Sequence, residues 1–279
     1  MQPKRLVLMS MAILGGLCTM PCRAETFTFD QHDITLEPPN GYCALDAKRP
    51  EEQAIIETQK ALQAAYNEVV MVYADCAELE KGRAGETKRL ENMGTFQISK
   101  QNGHVSAVSG YSRTSYIEEV RKAVPQIDAK QIFAQVNDRS RNLGNATIGS
   151  NKFGLLEYDQ SALYIGGLGT ATLPGGSTVE KVSVNASTLI NALPVAMSIS
   201  RPVAGEDDLK TLLAQQHENI AALLQANAAT DATAANPAQG RGFDWKQVLI
   251  AAVIGGLIGL VIALARRVSK KRRAGGPEA

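Results

Sequence analysis

Two cysteines, Cys43 and Cys76, remain once an export signal is removed, and they stand 33 residues apart. In an oxidising compartment an isolated pair forms a structural disulfide, and closing a loop of that length contributes about 3.5–4 kcal/mol in the chain-entropy model. Zinc is the weaker alternative, because there is no Cys-x-x-Cys and His32, His104 and His217 are far apart. Gly167-Leu168-Gly169 resembles the start of a dinucleotide fingerprint. Thr172 stands where the next glycine is expected, however, and a strand follows where a phosphate cradle needs a helix N-terminus, so the segment reads as a mobile hairpin loop. His104 with Ser106, Ser109 and Ser112 has the residue types of a hydrolase but no defined orienting carboxylate, and these are ordinary turn residues. Glu118-Glu119 and Asp207-Asp208 read as solvated helix positions, and the sequons at Asn145 and Asn185 matter only in a glycosylating host. These residues indicate no catalytic group, no cofactor and no metal site.

The elements that must position the chain begin with Val248–Ala265, a charge-free run followed by Arg266, Arg267, Lys270, Lys271, Arg272 and Arg273. At 1.5 Å per residue about 18 residues cover roughly 27 Å, near the thickness of a bilayer core, so the run predicts a transmembrane helix over 245–265. The basic tail, 266–279, then lies in the cytoplasm and the body outside. Phe243 and Trp245 fall at the outer membrane edge. Gly255 and Gly259, four residues apart, form a small-xxx-small pattern that permits close helix packing and a homodimer. At the other end Lys4, Arg5, the apolar region Leu6–Leu17 and Cys22-Arg23-Ala24 predict a cleaved signal peptide over 1–24.

Between these lies an extracytoplasmic domain, 25–224, and a flexible Ala/Asn/Thr-rich tether, 225–244. Residues 25–244 carry 19 Lys/Arg against 27 Asp/Glu, a net of −8, within a chain whose total is +1. An acidic body disfavours nucleic acid, which attracts Lys/Arg. Alternating residues predict a hairpin at 26–36 around a four-residue turn, Asp30–Asp33, and strands at 95–99, 153–158, 162–165, 178–190 and 195–200. The β-branched run 69–74 predicts a strand covered on both faces. Helical spacing marks 50–67, 114–124, 128–143 and 206–224. The fold expected is α+β, mainly antiparallel sheet with packed helices, plus one C-terminal transmembrane α-helix.

The element order, a hairpin, a helix, strands, two helices, more hairpins and a last helix, is similar to the α+β sandwiches of the PsbP-like kind, a likeness of architecture alone. The function expected is that of a non-enzymatic, single-pass protein of the bacterial inner membrane. Its helix and basic tail contact lipid, and its periplasmic body binds another envelope protein. The alternatives are an envelope hydrolase, a carrier of a small apolar ligand with a dry cavity inside the sheet and, for location, a eukaryotic type I membrane protein.

Overall fold

A computed structural model describes residues 24–231, apart from residues 88, 127, 174 and 175, together with residues 244–259. The predicted signal peptide but for Ala24, most of the predicted tether, Phe243 and the basic tail lie outside the described residues.

Strands β1 (Glu25–Phe29) and β2 (His32–Leu36) form a separate antiparallel ribbon. Its turn is Asp30–Gln31 alone, at φ 48° and 66°, rather than the four residues expected. Both residues adopt the left-handed conformation of a two-residue primed turn, whose twist matches that of the flanking strands. The main sheet is built from β3 (Tyr42–Ala44), β4 (Asn67–Asp75), β5 (Met93–Gln101), β6 (His104–Val105), β7 (Thr147–Tyr158), β8 (Leu163–Thr172), β9 (Thr178–Ile190) and β10 (Leu193–Pro202). Its order is β3-β4-β5-β10-β9-β8-β7, antiparallel throughout, with β6 paired to β5. The glycine-rich segment expected to be a loop is strand β8. A Cβ on Gly167 would lie 1.8 Å from the Lys152 carbonyl oxygen, so glycine there lets the two strands close.

The helices are α1 (Pro50–Gln63), α2 (Cys76–Arg83), α3 (Arg113–Ala123), α4 (Ala129–Asn142), α5 (Asp208–Ala226), a single turn α6 (Ala228–Asp231) and α7 (Trp245–Gly259). Their starts follow from capping chemistry. Pro50 opens α1, and the side chains of Asp75, Ser112 and Asp128 accept backbone N–H bonds at the starts of α2, α3 and α4. Helix α5 outruns its expected end. The buried Asn227 after it accepts from Thr35 N and donates to Thr35 O, both at 2.8 Å, tying the helix end to β2.

The two sheet faces bury different chemistry. On one, Phe96, Ile98, Val182, Val184, Met197 and Ile199 pack against Leu212, Ile220 and Leu223 of α5. The other is covered by α1, α3, α4 and α7. There the structure corrects the sequence reading. Val248, Leu249, Ala251, Ala252 and Ile254, expected in a bilayer, are fully buried inside the domain among Leu62, Ile117, Val120, Ile132 and Val136. A helix apolar on every side needs apolar surroundings, and those can be a protein core as well as a membrane. The 15 described residues of α7 rise about 22 Å. Among the described residues no helix is long and apolar enough to cross a membrane. The transmembrane helix, the single-pass anchoring at the inner membrane (or as a eukaryotic type I protein) and the lipid contact through that helix are therefore withdrawn. Residues 260–265 of the expected span lie outside the described residues.

Cys43 and Cys76 are joined by a disulfide, with Cα atoms 5.0 Å apart. The bond fastens the short edge strand β3 to the junction of β4 and α2, since Cys43 pairs with Ala74 in the sheet. Replacing both cysteines with Ala is expected to lower the free energy of unfolding by about 3.5–4 kcal/mol, measured by urea titration. A loss below about 1 kcal/mol would mean that β3 is held by its ladder alone.

Candidate helix-binding groove

Alternation along a strand sends successive side chains to opposite faces, and in three central strands one set is polar. On β9, Asn185 and Ser187 face the helices, opposite to Val182, Val184 and Ala186, and Lys181 and Ser183 share their phase. Thr95 and Gln97 of β5 and Ser198 of β10 join them. Thr95 Oγ1 and Ser198 Oγ are 2.8 Å apart, and Gln97 Nε2 donates to Thr95 Oγ1 at 2.7 Å. At the start of β4, Asn67 Nδ2 donates to Gln63 Oε1 of α1 at 3.1 Å. The result is a groove with a polar floor of sheet and apolar walls from α1, α3 and α4.

Helix α7 fills it. Asp244 caps the helix through its side chain, accepting from Lys246 N at 3.0 Å and Gln247 N at 3.3 Å, while its carbonyl accepts from Gln101 Nε2 of β5 at 3.2 Å. Trp245, expected at a membrane edge, packs edge-on to Tyr111 and Tyr116, with ring centroids 4.9 and 5.8 Å away. Two floor amides then grip the helix backbone. Asn67 Nδ2 donates to the Ala251 carbonyl at 2.9 Å, and Asn185 Nδ2 donates to the Ala252 carbonyl. One turn on, a Cβ on Gly255 would lie 2.4–2.8 Å from the Gln97 amide, so glycine lets the helix settle there without displacing that side chain. Small residues permit the approach, and the amides use it.

The grip is incomplete. The carbonyl oxygens of the same three amides, Asn67 Oδ1, Gln97 Oε1 and Asn185 Oδ1, are buried without a hydrogen-bond partner among the described residues. Farther along β9, Lys181 is fully enclosed. Burial lowers its pKa to about 8, with Glu91 and Glu78 pulling upward. Burial also raises the Tyr116 phenol above its ordinary value, although its bond to Ser187 Oγ at 2.9 Å works the other way.

Of the residues singled out in the sequence, Gly255 enters this groove and Gly259 ends the described part of α7. Gly255 packs closely against the Gln97 amide of the chain's own sheet. Asn185, read as a sequon, is buried and closed to modification in the folded domain. His104 is exposed on β6, and Ser112 caps α3; no hydrogen bond joins them among the described residues. Glu118 and Glu119 pair with Arg121 and Lys122, and Asp208 pairs with Arg201.

Sequence reasoning missed the floor amides, Lys181 and a surface cluster. In the cluster, His217 of α5 bonds Glu157 through Nε2 and lies 3.4 Å from Asp159 through Nδ1, with its ring 4.2 Å from that of Tyr164. Carboxylates on opposite ring nitrogens cannot converge on one metal ion, and they leave neither nitrogen to activate a nucleophile. The cluster ties the β7–β8 hairpin to α5. For the floor, the signal was present: the polar positions 181, 183, 185 and 187 alternate with apolar ones, a pattern that an exposed face also gives.

In comparisons with known proteins, no family model and no curated protein matches the chain.

The enclosed lysine has a pH consequence. Folded, Lys181 gives up its proton near pH 8; unfolded, it holds it to its ordinary 10.5. Between these values the unfolded chain binds more protons, so the cost of burying the charge, full below pH 8, is relieved as pH rises. Stability is expected to increase by roughly 2–3 kcal/mol from pH 8 to 10. Tyr42, pushed up to about 12 by burial, opposes this only above about pH 10. Urea titrations at pH 7.5 and 10 should show the rise in the native chain and its loss in Lys181→Met; an equal rise in both would assign it elsewhere.

Proposed function

We propose that this domain is a non-enzymatic binding module that receives an apolar helix in the groove between its sheet and α1, α3 and α4. Helix α7 is the resident occupant, and a helix of a partner protein is the ligand that takes its place. The observation carrying this reading is the hold on α7: Asn67 and Asn185 bond the carbonyls of Ala251 and Ala252, and Gly255 seats against Gln97. Such bonds recognise the helix backbone, so a different sequence with small residues at the same spacing also fits. This is the helix-in-groove mode of recognition. The acidic surface, −8 over residues 25–244, favours a partner helix with basic flanks and speeds its approach.

The resident helix has the advantage of being tethered. A short connection from Asp231 to Asp244 gives an effective concentration on the order of millimolar, which a partner must overcome by affinity or by its own local concentration. Cutting a protease site placed within 232–243 removes that advantage while leaving both pieces in solution. The piece bearing α7 is expected to stay bound after cleavage and to exchange with a labelled peptide of residues 244–259, seen as a rise in fluorescence anisotropy. Immediate separation of the pieces, with no binding of the peptide, would contradict the reading.

A further inference from the structure

We infer that the groove is built for a helix carrying a small hydroxyl residue, Ser or Thr, opposite its floor amides, and that such a helix displaces α7. This rests on the helix-binding reading above and specifies the partner. An amide side chain offers a donor and an acceptor side by side. Asn67 and Asn185 spend their donors on the carbonyls of Ala251 and Ala252, but their carbonyl oxygens stay unpartnered among the described residues, as does that of Gln97. All three residues are at least 99% buried. Helix α7 offers them nothing, because its internal N–H groups are committed to its own backbone and Ala251, Ala252 and Gly255 carry no donor. A serine at the position of Ala252 supplies one. Its carbonyl accepts from Asn185 Nδ2 and its hydroxyl donates to Asn185 Oδ1, so both halves of the amide are read by one residue. The position of Ala251 offers the same exchange with Asn67. The position of Gly255 does not, since a Cβ there would push the Gln97 amide aside. The preferred ligand is thus an apolar helix with glycine at one position and Ser or Thr three or four residues before it.

The test uses the nicked full chain with two labelled peptides of residues 244–259, one native and one Ala252→Ser. A hydrogen bond that satisfies a buried acceptor corresponds to roughly 3- to 10-fold in affinity, so the serine peptide is expected to displace resident α7 at a concentration lower by that factor. In an Asn185→Leu chain the preference should vanish. Where that chain fails to fold, the second pair, Asn67→Leu against Ala251→Ser, repeats the comparison. If the native peptide enters and the serine peptide binds no better, the inference is overturned and the groove reading stands. If neither peptide enters, both fall. Ordered water bonded to each of the three carbonyls in a crystal structure of the full chain would also overturn the inference, because the acceptors would then lack nothing.

Discussion

A buried amide must find partners for both its N–H and its C=O or carry a cost on the order of 1–3 kcal/mol per missing bond. The groove is arranged around that constraint. Asn67, Gln97 and Asn185 sit on three strands of one sheet face, where an ordinary core would place Val, Ile or Leu. Their donors are spent on α7, on one another's neighbours and on α1; their carbonyl oxygens have no partner among the described residues. A face meant only to support a fold would not need amides, because apolar side chains of the same volume pack there without penalty. The polar floor is thus a feature for which packing alone gives no reason.

The opposite face makes the contrast. Phe96, Ile98, Val184, Met197 and Ile199 meet the leucines of α5, and the polar Gln216 inserted from that helix donates to the backbone carbonyls of Val184 and Met197 and accepts from Asn219 Nδ2 of the same helix. The ribbon β1–β2 closes that side, and Asn227 ties it to the end of α5. The apolar cluster under α5 and the one around α7 lie on opposite faces of the same sheet. Helix α7 makes contacts all along the groove, yet it joins the rest of the described chain through residues 232–243 alone.

Much of the fold was legible in the sequence because local rules agreed with the final packing. Pro50 and Asp128 began helices where capping and dipole chemistry placed them, and the β9–β10 hairpin turned at Asn191-Ala192 as its flanking patterns required. Where reading failed, two environments gave one pattern. An apolar run without a polar face fits a bilayer and a protein groove equally, and nothing within Val248–Ala265 distinguishes them. The alternation of Lys181, Ser183, Asn185 and Ser187 fits both a wet face and a buried polar floor. Glycines at 166, 167 and 169 fit a loop as well as a strand whose neighbour approaches closely. In each case the deciding partner lies far away in the chain: Ala252 for Asn185, Lys152 for Gly167.

The central claim is that α7 lies in the groove with its backbone held by the floor amides. Nuclear Overhauser spectroscopy on the full chain, with the side-chain amides of Asn67 and Asn185 assigned, tests it directly. Cross-peaks from those amide protons to protons of Ala251–Gly255, with slow exchange of the amides with water, are the expected result. Amide protons that exchange freely and show no contact with residues 251–255 would contradict it.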